Sequence, residues 1–176
     1  AEAQNNIVMN TKNNFIFPKG YHEFHKKQVY NFQLNRWYSL GYLDSSEVSV
    51  AGKKINSFED WKNVMIELAD KALSENRLVN AAFLYRAAEF YMFADDEDKI
   101  KMYEKFIELF YKAYEDHNIE RFKIPYNDSY LPAMKVSSVD LNIKGVILMH
   151  GGFDSFIEEF YSMMWYFSQK GYDVYA

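Results

Sequence analysis

The sequence has no cysteine, which excludes a disulfide framework and any cysteine-based zinc site, and which fits a reducing compartment. It also has little clustered positive charge. Lys26-Lys27 and Lys53-Lys54 are its basic pairs, and the formal net charge is −5 with 25 acidic against 20 basic residues. A nucleic-acid partner is therefore not expected, because phosphate contact wants clustered Lys and Arg. Neither a signal-peptide pattern nor an uninterrupted apolar span of transmembrane length appears, so a cytoplasmic protein without a membrane partner is the expectation. What is present is apolar and aromatic material: 49% hydrophobic and 19% aromatic residues over 176 positions. That suffices for a real core and for one domain or a domain and part of another.

The first two thirds of the chain reads as helical. Residues 1–20 are Asn-rich with Pro18 and Gly20 as breakers, an irregular lead-in. Phe24, Val29, Phe32, Trp37 and Leu40 fit a helix over 21–40 that stops at Gly41, and 41–56 reads as a connection with few core candidates. Ser57, with Asp60 three residues on as a short-armed capping box, opens a helix carrying Phe58, Trp61, Met65, Leu68 and Ala72 on one face. Residues 78–93 follow with Leu78, Ala81, Ala82, Tyr85, Ala88 and Met92 aligned, the alanines allowing a neighbouring helix to come close. Asp95 and Asp96 begin a further helix through Ile100, Tyr103, Phe106, Ile107, Phe110 and Tyr114, with acidic groups in the first turn as the helix dipole prefers. Four helices thus make a predicted helical domain over 1–118.

From Ile119 the texture changes. Ile119, Phe122 and Ile124, a turn through Pro125-Tyr126-Asn127-Asp128-Ser129, and residues 130–136 read as a β-hairpin, with Pro132 confining the second arm to an edge or a bulge. The apolar run 146–149 then meets His150-Gly151-Gly152. Asp154 or Ser155 can cap a helix over 155–170, which ends at Gly171 before a second strand over 172–176. This is a βαβ unit, most simply with parallel strands and a right-handed crossover. Its glycine turn lies at the carboxyl end of the first strand, where open α/β sheets bind ligands. The predicted fold class is α/β: a helical cap domain over 1–118, then over 119–176 the first strands and first helix of an α/β core with an incomplete sheet. The helix over 155–170 carries Phe156, Ile157, Phe160, Tyr161, Met163, Met164, Trp165 and Phe167. That is more apolar surface than one sheet face covers, so the remainder is expected to meet the helical domain, a carboxyl-terminal part or a second subunit.

At His150-Gly151-Gly152-Phe153-Asp154-Ser155, with Glu158-Glu159 in the following helix and Gly171-Tyr172 at the return, the chain resembles the α/β-hydrolase superfamily. More narrowly it is similar to the serine hydrolases that carry a helical domain before the core, the group with 2,6-dihydroxypseudooxynicotine hydrolase, the fungal polyketide-shortening hydrolases and the fermentation-respiration-switch-like proteins. The resemblance implies a hydrolase that cleaves a C–C (ketone), ester or related acyl bond, without a cofactor, in a small-molecule substrate held between cap and core. It implies that the backbone N–H of Gly152 or Phe153 belongs to an oxyanion hole, with His150 and Gly151 supporting the loop. The other reading of these residues is a plain strand-to-helix turn. Gln33-Leu34-Asn35-Arg36-Trp37-Tyr38 resembles a segment of the helical domain that roofs the active site in the same group. Arg36, Trp37 and Tyr38 are accordingly candidate substrate-binding residues, against the alternative of helix packing with an Arg36 ion pair.

The superfamily's nucleophile sits in a G-x-S-x-G elbow on the strand after the one beginning at Tyr172, with its acid and histidine later, and the 176 residues contain no such elbow. Trp37-Tyr38-Ser39-Leu40-Gly41 has Trp where the first glycine belongs, and it follows a helical pattern. The chain therefore reads as the amino-terminal part of a hydrolase, inactive alone, that either forms a homodimer or associates with a carboxyl-terminal part through its unpaired sheet edge. The competing reading is a helical interaction or ligand-binding module without catalysis, suggested by the helix pair over 78–115. No metal is expected: His22-x-x-His25 lacks a third ligand, and Asp95-Asp96-Glu97-Asp98 lacks the spacing and glycine of a calcium loop.

Overall fold

The computed structural model describes residues 15–17 and 19–176, so the irregular lead-in expected over 1–20 lies mostly outside the described residues. Five helices come first: α1 (Gln28–Ser39), α2 (Ser45–Lys54), α3 (Phe58–Ser74), α4 (Leu78–Phe90) and α5 (Glu97–Ala113). The segment expected to be a bare connection holds α2, a correction to the four-helix reading. Asp44 caps it in a capping box with Glu47, and Val48, Ala51 and Ile55 bury an apolar face against the core.

Helix α1 is shorter than its pattern and turned about its axis. Residues 21–27 are not helical, because the side chains of Asn31 and Asn35 take their backbone groups. Asn31 Oδ1 accepts from Phe24 N (2.7 Å) and His25 N (3.0 Å), and Asn35 Oδ1 accepts from His22 N (2.8 Å). Val29 and Phe32 are exposed, whereas Tyr30, Leu34 and Trp37 are buried. The helix ends in a Schellman motif: Gly41, at φ 88°, donates to Tyr38 O, and Tyr42 N donates to Trp37 O at 3.1 Å. That turn drives the Tyr42 ring into the core.

Ser57 and Asp60 cap α3 reciprocally, as their spacing predicts. Helix α4 stops at Phe90 and is buried on every side from Ala81 to Glu89, packed between α3 and α5. A single apolar face is therefore too small a description of it. Asp96 caps α5 by accepting from Asp98 N at 2.9 Å, and both aspartates pair with Lys62. That is what the acidic run does here.

The sheet follows, with β1 (Ile119–Tyr126), β2 (Ser129–Val136), β3 (Gly145–Leu148) and β4 (Tyr172–Tyr175) in the order β1-β2-β4-β3. β1 and β2 form the expected hairpin, with Asn127 in the left-handed region at its turn. β2 pairs with β4 through Lys135 and Val136, and Met134 carries the pairing one residue further by exchanging backbone hydrogen bonds with Ala176 at 2.8 and 2.9 Å. Pro132 thus lies on a stretch of β2 that has no second strand beside it among the described residues, the edge position its missing N–H requires. β3 and β4 are parallel, in register from Gly145–Tyr172 to Leu148–Tyr175.

The connection between them departs from the predicted 155–170 helix. Residues 157–160 form a 3-10 turn, and α6 (Tyr161–Ser168) begins only after it. Asp154 and Ser155 cap nothing, because their oxygen atoms accept from Arg36. None of the eight residues of α6 is exposed. Tyr161 packs on Phe110 and Tyr114 of the helical part, and Trp165 packs on Phe15. Part of the surplus apolar surface of this segment therefore meets the helices, and one continuous core runs from Tyr30 in α1 to Val174 in β4. Among the described residues no helix is long and apolar enough to cross a membrane.

Candidate functional site

The turn after β3 is where the chain offers unused backbone donors. Met149 N still donates to Tyr175 O at 2.8 Å, closing the parallel ladder. Beyond it His150, Gly152 and Phe153 lie open, the Phe153 side chain wholly exposed at 107%. His150 Nδ1 lies 3.2 Å from Gly151 O. Among the described residues, neither Gly152 N–H nor Phe153 N–H meets a protein acceptor. Two adjacent N–H groups open at the carboxyl end of a parallel strand can hold an anionic oxygen.

The two glycines differ physically. A Cβ on Gly151 would lie 2.5 Å from Ser155 Cβ and 2.8 Å from Phe160 Cζ, whereas one on Gly152 would meet nothing nearer than Asp154 Oδ1 at 3.8 Å. Gly151→Ala should therefore lower stability by about 1–3 kcal/mol through overpacking, while Gly152→Ala leaves it within about 0.5 kcal/mol as an exposed substitution. Chemical denaturation of both variants checks this, and equal losses would contradict the geometry.

Behind the turn lies a buried ionic network built from both halves of the chain. Arg86, on α4 and 2% exposed, pairs with Glu89, with Glu159 Oε2 (3.2 Å) and with the carbonyl oxygen of Asp154 (2.6 Å). Arg36, on α1, reaches the same carbonyl (3.2 Å), Asp154 Oδ2 (3.1 Å), Ser155 Oγ (3.1 Å) and Glu159 Oε1 (3.1 Å). Glu159 is 1% exposed and also accepts from Trp37 Nε1 (3.2 Å) and from Phe156 N (2.7 Å). Lys99 Nζ closes the far end on Glu89 Oε2 at 2.7 Å. Three cations thus face three carboxylates, and both guanidinium groups lie 5.2 Å from the Phe90 ring, so each buried charge is compensated as its desolvation demands.

The neighbouring Glu158 is held differently. Its Oε1 accepts from Tyr111 OH at 2.7 Å, and Arg121 stacks 3.8 Å from the Tyr111 ring centroid. Burial pushes the Glu158 carboxyl above the usual glutamate range. The Tyr111 hydrogen bond, its own backbone N–H and Arg121 pull it back in part, and the Glu159 charge adds to the rise. A raised folded-state value means that stability from this proton is fully present below pH 4.5, the ordinary glutamate value, and is lost as pH rises through the folded value. Glu158→Gln should remove that loss: the Tm of the variant relative to the parent chain should climb between pH 4.5 and pH 7. A difference that is flat across that range would contradict it. Burial likewise pushes up the phenol of Tyr42, which donates to Glu159 O (2.9 Å) and accepts from Ser162 N (2.9 Å).

Of the candidate substrate-binding residues, Trp37 is wholly buried, between Trp61 and Phe90, and Arg36 is committed to 154–159. Tyr38 packs against His22 and Phe24 on the other side of α1. The structure thus joins Arg36 and Trp37 to the turn's supporting segment and leaves Tyr38 apart from it. Ser39 ends α1 with its hydroxyl on Arg36 O at 3.1 Å, far in character from a strand-to-helix elbow. His22 Nε2 and His25 Nε2 bond Lys19 O and Ile55 O, and among the described residues no group of three or more His, Cys, Asp or Glu could hold a metal. Sequence reasoning missed Arg86 and Glu89. Their signal was present: two charges three residues apart inside the otherwise apolar run of α4 must find partners.

No protein-family model and no curated protein sequence matches the chain. Solved structures do. Two structures of AbyA5 superpose with TM-scores of 0.62 and 0.56 at 18% and 17% identity, over 82% and 77% of this chain and 43% and 41% of theirs. A crystal structure of 2,6-dihydroxy-pseudo-oxynicotine hydrolase superposes with a TM-score of 0.55 at 22% identity, over 81% of this chain and 44% of its own. The chain spans less than half the length of these structures. They have the α/β-hydrolase fold, and the present chain shares it as a helical cap followed by part of the α/β core.

Proposed function

We propose that this chain supplies the helical cap and the oxyanion-binding turn of a serine-type α/β hydrolase that cleaves a C–C (ketone), ester or related acyl bond. The single observation that carries the reading is the pair of unengaged N–H groups at Gly152 and Phe153, at the carboxyl end of β3. In such a reaction a serine oxygen attacks the substrate carbonyl carbon and the carbonyl oxygen becomes an oxyanion. One of these N–H groups, with the N–H that follows the nucleophile, stabilises that charge. The tetrahedral intermediate then re-forms its C=O bond and expels an alkoxide or, for a ketone whose departing carbon is α to a second carbonyl, an enolate, which takes up the proton the serine gave to a histidine; the acyl-serine left behind is released by water, which gives its proton to the same histidine. The 176 residues hold no G-x-S-x-G elbow, so this reading places the nucleophile on a segment following β4 and makes the 176-residue chain alone catalytically silent.

The protein expressed from its natural reading frame and treated with a fluorophosphonate probe tests this. The expected result is one serine adduct that maps outside residues 1–176, with parallel loss of hydrolysis of a short-chain p-nitrophenyl ester or a 1,3-diketone. An adduct on Ser39 or another serine of these 176 residues, or neither adduct nor hydrolysis, would overturn it.

A further inference from the structure

We propose that Arg36 and Arg86 are positioning residues for the turn 151–153: two guanidinium groups from the helical part grip the carbonyl of Asp154 and thereby fix the direction of the Gly152 and Phe153 N–H groups. The geometric half stands on the structure, and its catalytic consequence rests on the hydrolase reading. The Asp154 carbonyl oxygen accepts from Arg86 at 2.6 Å and from Arg36 at 3.2 Å, and hydrogen bonds from a cation are the strong ones. Arg36 also holds the Asp154 carboxylate and Ser155 Oγ. Ser155 lies so close to Gly151 that a Cβ on the glycine would stand 2.5 Å from that of the serine. The turn is therefore pinned on both sides of its open N–H groups, by β3 through Met149 N and by the two arginines at 154 and 155. A buried ion network adds little stability over apolar residues of the same volume. Orienting a peptide carbonyl is something an apolar replacement cannot do.

The chain's own 15N relaxation tests this, with Arg36→Met and Arg36→Lys as variants. In the parent chain the order parameters of the Gly152 and Phe153 N–H vectors should be near those of a rigid backbone, about 0.85. In Arg36→Met they should fall below about 0.6 and both amide resonances should shift, while those of α3 stay as they were. Arg36→Lys keeps the charge without the fork and should lie between, and it carries the test should Arg36→Met not fold. Unchanged Gly152 and Phe153 amides in a folded variant would overturn the proposal, as would a uniform loosening of the whole chain. In the protein from the natural reading frame, phosphonylation by the same probe should slow at least tenfold in Arg36→Met at saturating probe, with apparent probe affinity held. Failure of the unsubstituted protein to react refutes the hydrolase reading and leaves the order parameters to decide the clamp. Reaction at an unaltered rate in a variant whose turn has loosened refutes the catalytic consequence.

Discussion

Glu159→Ala should lower the stability of the chain by about 3–5 kcal/mol, since removing one member of a buried ion network leaves the others uncompensated. Arg86 loses contacts at 3.2 and 3.3 Å, Arg36 loses one at 3.1 Å, and the N–H groups of Trp37 and Phe156 lose their acceptor. For a chain of this size that corresponds to a fall in Tm of roughly 6–20 °C. The loss should come from unpaired charge and not from lost volume, so Glu159→Leu combined with Arg86→Met, which removes charge from both sides, should recover a substantial part of it. Urea midpoints at unchanged m-value measure both. A single variant within about 0.5 kcal/mol of the parent, or a double variant less stable than the single, would show that the network is not the joint between the helices and the turn.

Trp37→Ala should cost a comparable amount, about 3–5 kcal/mol, for a different reason. The ring is wholly buried against Trp61 and Phe90, so truncation leaves a cavity at the centre of the helical part. Trp37→Phe separates the two contributions. It keeps most of the packing and loses only the Nε1–H bond to Glu159, and should cost about 1–3 kcal/mol, the penalty of one unmade buried bond to a charged group. In a double-mutant cycle Trp37→Phe and Glu159→Ala should be coupled by about 0.5–3 kcal/mol, because both remove the same bond. Strict additivity would place Trp37 in the core without a part in holding the turn.

The elements that could be read from the sequence are those whose signals are local. Ser57 with Asp60 marks the start of α3, and Asp96 marks that of α5. The Asn127-Asp128 turn between apolar alternations gives the hairpin, and the glycine turn between two apolar runs gives the parallel pair β3 and β4. Helix α2 escaped because its apolar content is thin, although Asp44 and Glu47 carried a capping signal three residues apart. The extent of α1 and the start of α6 escaped for another reason. Both are set by side chains that compete for backbone groups, Asn31 and Asn35 on 22–25 and Arg36 and Arg86 on 154–155. Helical periodicity carries no trace of such competition.

The same holds for the site. The motif marks His150, Gly151, Gly152 and Phe153 as candidates, and it includes the Glu158-Glu159 pair. What Glu159 does could not be read there, because its partners Trp37 and Arg86 lie 122 and 73 residues away in sequence. For Arg36 the sequence leaves two readings, substrate binding or an ion pair in helix packing, and the structure shows it paired with Asp154 and Glu159 in the segment that follows the turn. The chemistry is the same, a planar cation offered to oxygen atoms, but the oxygen atoms belong to the chain itself.

The most direct measurement is a crystal structure of the protein from the natural reading frame after reaction with a phosphonate that mimics the tetrahedral intermediate. The account predicts the phosphoryl oxygen about 2.7–3.1 Å from the backbone nitrogen of Gly152 or Phe153, with the Asp154 carbonyl still held by Arg36 and Arg86. A covalent adduct whose oxygen is held by other groups, with the turn 151–153 uninvolved, would contradict it.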